Sequence, residues 1–309
     1  MPRCVEPVIL VAMLTTLVGC RLLVPTIDPG VIVDPTAHDH FVRIDGVKYH
    51  YLLYPGPGPT LVMVHGFASS TYTWEQIAPP LNRLGYNIVA LDLKGFGWSD
   101  KPRGATYDVV TLKHEVHKFV DGLGLQRYAL VGHSLGGAVA VLSALDRPEQ
   151  IERLILVDPA VPRTDHRPAV FQLLGSAPGA LTAELAFGQW MVDFNLDEVY
   201  FDRARISPAT RRAYYDRLRT DGALQAQAAI VATVNGPGLR ALFDRVPTIQ
   251  LPTLILWGEH DRWVPLAVGQ ALQREIRGSE LHVLPRCGHM PQEEWPDQTV
   301  ALIADFLQR

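Results

Sequence analysis

Residues 128–137 read YALVGHSLGG, an apolar run that gives way to a serine flanked by glycines. The first four residues have the pattern of a strand buried on both faces, and the residues from Leu135 onward suit a helix. Ser134 stands between them, with Gly132 and Gly136 two residues away on either side. Small neighbours are needed there because a sharp turn from strand to helix crowds the backbone. The stretch predicts an α/β fold with Ser134 on a strained turn at the carboxyl edge of a parallel sheet.

Apolar runs and helical patterns alternate along the chain on both sides of this turn. Asp45-Gly46, between two alternating segments, predicts a hairpin near the start. Strand–helix alternation implies a mostly parallel sheet with helices on both faces. The predicted strands after the hairpin are 61–64, 88–91, 128–131, 154–157, 253–257 and 281–284, and the predicted helices are 109–123, 135–145, 265–276 and 291–307.

One stretch breaks this alternation. Residues 162–247 have helical patterns and no convincing strand, which predicts a helical cap inserted over the carboxyl edge of the sheet. The α/β core is accordingly assigned to residues 41–161 and 248–309. The cap has its own aromatic residues, which we expect mainly to pack it. They are Phe171, Phe187, Trp190, Phe194, Tyr200, Phe201, Tyr214 and Tyr215.

Residues 1–20 have the pattern of a targeting segment. An uncharged apolar run from Val8 to Val18 is shorter than the roughly 20 residues that span a bilayer. Leu17-Val18-Gly19-Cys20 resembles the lipobox of bacterial lipoproteins, in which the chain is cut before the cysteine and the cysteine sulfur is lipidated. We expect a lipoprotein signal, a linker over residues 21–40, and a lipid anchor on Cys20 that holds the protein at the periplasmic or extracellular face of the bacterial cell envelope. The alternatives are an ordinary signal peptide, which gives a secreted protein, and an uncleaved anchor.

Composition excludes several functional classes. The chain has 309 residues, of which 48% are hydrophobic and 19% charged, and a formal net charge of −4. That balance offers no basic footprint for nucleic acid. Cys4, Cys20 and Cys287 form no cluster with metal-site spacing and no CxxC pair. We therefore expect neither a metal nor a cofactor.

A serine hydroxyl needs a base to become a nucleophile, and that base is a histidine placed in space rather than in sequence. His289 is the best candidate because it lies in a loop directly after the last predicted strand. Asp261 follows the preceding strand and is the expected acid that orients the histidine, since the chain order Ser, Asp, His suits this strand–turn–helix arrangement. Asp158 and Glu259 are the alternatives for the acid.

The oxyanion formed during acyl transfer needs two backbone donors. The amide of Leu135, directly after the nucleophile, is one. The second is assigned to Phe67, in the loop after the first parallel strand, where Gly66 permits a tight turn. His65 is expected to hold this loop rather than to act as an acid or base. His133 adjoins the serine and is expected to point away from it.

These motifs together resemble the α/β-hydrolase superfamily over residues 41–307. Segments 65–67, 92–102, 258–261 and 288–289 resemble in particular the branch that contains epoxide hydrolases, haloalkane dehalogenases and C–C bond hydrolases. Epoxide hydrolases and dehalogenases attack with aspartate, whereas this chain has a serine, so the resemblance implies a serine member. It also implies that the helical insertion is a cap that closes the pocket and sets substrate choice.

Serine members of this family resemble esterases, lactonases, C–C hydrolases and cofactor-free haloperoxidases. We expect Ser134 to cleave a small-molecule carboxylic ester, with a short or medium acyl chain or a lactone ring, through an acyl-enzyme. The same three residues could serve a C–C hydrolase or a haloperoxidase-like enzyme. Two further alternatives are a lipase for long acyl chains and a membrane-tethered binding protein without turnover.

Overall fold

The computed structural model describes residues 38–164, 166, 171, 187–234 and 238–309. Its strands are β1 (Asp39–Ile44), β2 (Val47–Tyr54), β3 (Thr60–Val64), β4 (Asn87–Leu91), β5 (Tyr128–His133), β6 (Ile151–Val157), β7 (Thr253–Gly258) and β8 (Glu280–Leu284). Its α-helices are α1 (Ala78–Arg83), α2 (Val109–Gly122), α3 (Leu135–Asp146), α4 (Gln189–Val199), α5 (Pro208–Leu218), α6 (Ala223–Val234), α7 (Leu266–Glu275), α8 (Pro291–Glu294) and α9 (Pro296–Gln308).

The strands form one sheet in the order β1-β2-β4-β3-β5-β6-β7-β8. The β1–β2 and β2–β4 pairs are antiparallel, and the remaining neighbours run parallel. Parallel neighbours need crossover connections, which helices provide here. The predicted fold class, a mostly parallel sheet with helices on both faces, is thereby confirmed.

Alternate residues of the central strands enter two separate cores. In β3, Val62 and Val64 pack on one face of the sheet, and Leu61 and Met63 pack on the other. Helices α2, α3 and α7 cover the first face, while α1 and α9 cover the second. Burial on both faces explains the continuous apolar runs of the sequence. It also leaves the carboxyl edge of β3, β5, β6, β7 and β8 as the place where their following loops meet.

Several element boundaries differ from the predictions: β5 ends at His133 rather than residue 131, and β6 begins at Ile151 rather than residue 154. Strand β1 begins at Asp39, two residues before the predicted start of the domain, and ends in the predicted Asp45-Gly46 turn. The single helix expected over residues 291–307 is two helices, α8 and α9. Trp295 between them has φ −132° and ψ 57°, because a residue before proline is pushed out of the helical region, and Pro296 follows.

The described part of the insertion contains α4, α5 and α6. Phe187, Tyr200 and Tyr214 pack with α4 side chains in a core of their own. Trp190 and Phe194 do not follow this pattern, since each is 56% exposed. Helix α6 packs into the main core through Ala226 and Ile230. The division of the chain into core and cap at residues 162 and 247 stays a prediction.

Residues 1–37 lie outside the described part of the chain, so the expected signal, the lipid anchor on Cys20 and most of the linker stay predictions. Among the described residues, no helix combines the length and apolar character needed to cross a membrane.

Candidate active site

Ser134 joins β5 to α3 in a strained conformation. Its φ of 51° and ψ of −116° are uncommon for a residue with a side chain. The turn is fixed to the end of the neighbouring strand β6, because the Ser134 amide donates to the Val157 carbonyl at 3.0 Å. A Cβ on Gly132 would come within 2.4 Å of the Gly136 carbonyl oxygen, and a Cβ on Gly136 within 2.2 Å of the Val64 carbonyl oxygen. The backbone therefore passes too closely at both positions for any residue except glycine.

The loop after β3 packs directly against this turn. A Cβ on Gly66 would lie 2.9 Å from the Ser134 Cβ and 2.8 Å from the His133 Nδ1. The neighbouring Phe67 amide forms no hydrogen bond within the described chain. Leu135 is the first residue of α3, where backbone amides lack an intrahelical acceptor. The two predicted oxyanion donors are thus free to bind a developing negative charge.

His65 fixes the same loop through two buried hydrogen bonds. Its Nδ1 donates to the Gly66 carbonyl at 2.8 Å, and its Nε2 accepts from the Leu93 amide at 3.1 Å. Burial lowers the pKa of His65, so the ring stays neutral in this double role. His65 therefore fixes the start of the loop that carries Phe67.

His289 and Asp261 form a buried pair at the same edge of the sheet. His289 Nδ1 donates to Asp261 Oδ2 at 2.6 Å. The other carboxylate oxygen, Oδ1, accepts from the amides of Trp263 at 2.7 Å and Val264 at 2.9 Å. His289 Nε2 is buried and has no hydrogen-bond partner among the described residues. The arrangement leaves Nε2 available to take a proton, while Asp261 fixes the ring through the opposite nitrogen.

Of the two alternative acids, Glu259 lies away from the base. Its side chain is 47% exposed and accepts from the Arg286 amide at 3.3 Å. Asp158 lies close, fully buried at the end of β6, and its Oδ1 accepts from the Gly258 amide at 3.0 Å. Burial, reinforced by the neighbouring charge of Asp261, raises the pKa of Asp158 well above its usual value. A neutral Asp158 lacks the charge that would stabilise a histidine cation.

The same three groups have the spacing of a metal site. One ligand atom each from Asp158, Asp261 and His289 lie within 4.8 Å of one another. Within this group, Asp261 Oδ2 and His289 Nδ1 are joined by a hydrogen bond of 2.6 Å. Their separation is shorter than two ligands of one metal permit with bonds of about 2.0–2.2 Å at tetrahedral angles. The donor set therefore fits a proton-transfer pair rather than a metal centre.

Two contacts hold the base loop to the cap. The His289 amide donates to the Val199 carbonyl at 2.7 Å, at the end of α4. Glu294 Oε1 accepts from the Gly288 amide at 2.6 Å, while Oε2 accepts from the amides of Phe201 at 2.8 Å and Asp202 at 3.1 Å. One carboxylate thus joins the residue before the base to two residues of the cap. Glu294 was missed from sequence, because no local pattern pairs it with residues of the cap.

Neighbours of the base were missed from sequence. His133 Nε2 donates to the His289 carbonyl at 2.8 Å, and the two rings lie 4.9 Å apart. Burial, together with the charge of His289, holds the pKa of His133 well below its usual value. Trp263 lies 5.8 Å from the His289 ring and lines two cavities at the site. Tertiary packing brings these residues together, and their spacing in sequence does not reveal it.

Comparisons with known proteins agree with this architecture. A model of the alpha/beta hydrolase fold family matches residues 59–296. The 2-hydroxy-6-oxo-2,4-heptadienoate hydrolase of Pseudomonas putida is 30% identical over 261 residues, which cover 82% of this chain and 90% of that protein. Epoxide hydrolase 4 of Mus musculus is 29% identical over 300 residues, covering 91% and 82%. A solved structure of a membrane phospholipase A, described as a bacterial virulence factor, is 30% identical with a TM-score of 0.73 and covers 95% of this chain and 91% of that one.

These relatives span nearly the whole folded chain, and the family match includes the Ser134 turn and the loops that carry Asp261 and His289. The protein is therefore a hydrolase of the α/β-hydrolase fold family, in the branch that contains epoxide hydrolases and meta-cleavage product hydrolases.

Proposed function

We propose that this hydrolase cleaves carboxylic esters, with Ser134 as nucleophile, His289 as base and Asp261 as the acid that orients the base. The observation that carries the proposal is the strained Ser134 turn beside a buried His289–Asp261 hydrogen bond of 2.6 Å. A strained serine with an oriented histidine is the combination that makes a hydroxyl nucleophilic at neutral pH.

The reaction follows from the position of each group. His289 Nε2 takes the Ser134 hydroxyl proton as Oγ attacks the ester carbonyl carbon. The amides of Phe67 and Leu135 bind the oxyanion, a contribution of about 3–4 kcal/mol per donor in comparable sites. The histidine then gives its proton to the leaving alcohol, and water releases the acid by the reverse sequence. Every step uses the protein's own side chains and backbone.

Ester cleavage is favoured by the apolar cavity beside Ser134. Its volume is about 340 Å³, and it is lined mainly by aliphatic and aromatic side chains such as Val161, Ile230 and Val268. Such a cavity suits an acyl chain. The similar solved structure named as a phospholipase A carries the name of an enzyme that cleaves acyl esters, which supports the same class of substrate.

Cleavage of a C–C bond is the second candidate. It is favoured by the 30% identity to a 2-hydroxy-6-oxo-2,4-heptadienoate hydrolase over nearly the whole length of that protein. Substrates of that kind carry a carboxylate. Most described side chains of the cavity are apolar, and Arg240 at its exposed rim is the cationic one. We therefore rank the ester first.

We further propose that the mature protein is anchored through a lipidated Cys20 on the bacterial cell envelope. The lipobox-like Leu17-Val18-Gly19-Cys20 supports this assignment. Metabolic labelling with a clickable fatty acid, compared between the wild type and Cys20→Ala, tests it. Label retained by Cys20→Ala, or absent from both proteins, contradicts the anchor.

Ester cleavage is tested with p-nitrophenyl esters from acetate to palmitate, beside Ser134→Ala. We expect the substitution to lower kcat by several orders of magnitude. Ser143→Ala is the matched control, because Ser143 lies in α3, the helix that follows Ser134, is fully buried, and has a hydroxyl without a hydrogen-bond partner in the described chain. A folded wild type that cleaves no ester, but cleaves a vinylogous diketone, supports the C–C candidate instead. A wild type inert to both substrates and to a fluorophosphonate is a binding protein.

A further inference from the structure

The active site has two cavities of very different size. We call the larger arm A and the smaller arm B. Arm A has a volume of about 340 Å³ and includes Ser134 and Leu135 in its lining. Arm B has a volume of about 40 Å³ and includes His289 and His133. Phe67 and Trp263 line both arms, so the two spaces adjoin at these side chains.

Chemistry decides which half of an ester enters which arm. The acyl carbon bonds to the serine, and its oxygen points at the amides of Phe67 and Leu135. The leaving oxygen must face His289, because the histidine protonates it. Among the described residues, Ser134 lines arm A and His289 lines arm B, and neither lines both. We propose that arm A binds the acyl chain and arm B the leaving alcohol, an assignment that rests on the proposed ester hydrolysis.

The lining of arm A selects an apolar chain. Besides Ser134, its polar described side chains are Thr164, His166 and Arg240, and all three are exposed or half-buried. The polar groups therefore lie at the rim, and the depth is apolar. One water-sized group needs about 10–15 Å³ of cavity volume, so arm B, at about 40 Å³, holds about three heavy atoms, and arm A, at about 340 Å³, holds several times as many. The acyl chain is therefore the larger half of the ester.

Arm B differs from arm A because buried polar side-chain atoms belong to its lining residues. Asn195, on α4, contributes a side-chain oxygen that is buried and has no hydrogen-bond partner among the described residues. The Ser69 hydroxyl lines the same arm and lies 3.4 Å from that of Tyr214. A buried acceptor without a partner costs about 1–3 kcal/mol, which a donor on the ligand would offset. Arm B therefore suits a short alcohol that carries a second hydroxyl or an amine, with Asn195 as the residue that selects it.

The structure thus assigns the substrate as an ester that joins an apolar acyl chain to a small, hydrogen-bond-donating alcohol. Two isosteric probes test the alcohol half: 2-hydroxyethyl decanoate and n-propyl decanoate, which differ only in a hydroxyl against a methyl group. We expect the wild type to prefer the hydroxyethyl ester roughly tenfold in kcat/KM. Asn195→Leu removes the acceptor at similar volume and should reduce the preference to about one.

The acyl half is tested separately with Val234→Phe, which adds a ring to the lining of arm A. We expect the optimal chain to shorten by several carbons while the hydroxyethyl preference stays unchanged. Ala232→Phe is the matched control, since Ala232 is exposed on the same helix and is not part of the described lining. Glu198→Gln is the control for Asn195→Leu, because Glu198 lies on α4 in surface salt bridges. Should Asn195→Leu fail to fold by circular dichroism, Asn195→Ala replaces it.

The outcomes separate this assignment from the proposed function. If Val234→Phe changes the choice of alcohol and Asn195→Leu changes the chain-length optimum, the two arms are reversed. If the wild type cleaves both probes equally, Asn195 does not select the alcohol. A folded wild type that cleaves none of the esters overturns ester hydrolysis, and the assignment of the arms with it.

Discussion

The carboxyl of Asp158 is buried beside the carboxylate of Asp261, with one oxygen of each within 4.8 Å of the other and of a His289 ring nitrogen. Two like charges so close together in a buried site repel, so one carboxyl keeps its proton. Asp261 is held by three donors, since its Oδ1 accepts from two amides and its Oδ2 accepts from the His289 ring. Asp158 accepts from one amide, that of Gly258. Burial and the neighbouring Asp261 raise the pKa of Asp158 well above its usual value, so Asp158 is the carboxyl that keeps its proton.

Replacing Asp158 with asparagine should change how stability depends on pH. The pKa of Asp158 is raised in the native state, whereas the unfolded chain releases this proton near pH 3.9. Above that pH the unfolded state binds fewer protons than the native state. The wild type therefore loses up to about 1.4 kcal/mol of unfolding free energy per pH unit from this group, until pH reaches the native pKa. Asp158→Asn has no such proton, so its stability relative to the wild type should increase between pH 5 and pH 7.

Urea unfolding of both proteins at pH 5, 6 and 7 measures this difference, and other titrating groups cancel between them. Asp158→Asn should also keep its ester activity within a few-fold, because the asparagine oxygen still accepts from the Gly258 amide. A stability difference that does not vary with pH would mean that Asp158 is ionised in the native protein.

Asp261→Asn should lower kcat by about 10⁴-fold with little change in fold. Oδ1 accepts from two amides, so the asparagine oxygen is held there and its NH₂ group faces His289 Nδ1. A donor opposite Nδ1 selects the histidine tautomer that cannot accept the serine proton.

Stopped-flow or steady-state assays with a p-nitrophenyl ester measure kcat. Glu259→Gln serves as the control and should retain full activity. The reverse pattern, a mild Asp261→Asn and an inactive Asp158→Asn, would make Asp158 the acid.

Part of this fold and of the candidate site is predictable from sequence, because it depends on local backbone geometry and strand order. The turn around Ser134 carries its own requirements, because the close backbone approaches at Gly132 and Gly136 exclude any side chain. Asp261 and His289 follow strands β7 and β8, and parallel strands place their carboxyl ends at one edge. The fold class was therefore predictable, and so was the edge of the sheet at which these residues meet.

Contacts between distant segments were not predictable in this way. The Gly288–Glu294–Phe201 link joins the base loop to the cap across 93 residues, and nothing in the local pattern of either segment indicates the other. Asn195 and Trp263 line the site for the same reason, since the packing of the cap on the sheet decides which side chains face the cavity. The break between α8 and α9 was visible as Pro296 in the sequence, yet the apolar spacing on both sides suggested one helix.

Glu294→Gln should loosen the base loop and the cap together. Glutamine offers one oxygen where glutamate offers two, so its NH₂ group would face either the Gly288 amide or the amides of Phe201 and Asp202. A buried amide left without an acceptor costs about 1–3 kcal/mol. We expect lower stability in urea, a lower kcat, and faster hydrogen exchange at both Gly288 and Phe201. Glu198→Gln is the surface control. Faster exchange on only one side would mean that the carboxylate does not connect the two segments.

Gly66→Ala should reduce turnover more than it reduces stability. The added Cβ would lie 2.9 Å from the Ser134 Cβ and 2.8 Å from His133 Nδ1, so the loop must move away from the nucleophile. That movement displaces the neighbouring Phe67 amide from the oxyanion, and loss of one such donor lowers kcat by about 10²–10³-fold.

Gly104→Ala is the comparison, because Gly104 has a φ of +74° and open space for a Cβ. It should lose about 1 kcal/mol or more of stability to backbone strain and keep its kcat. Steady-state kinetics give kcat, and thermal unfolding gives the stability, of both variants. Equal kcat values in the two variants would remove Phe67 from the oxyanion site.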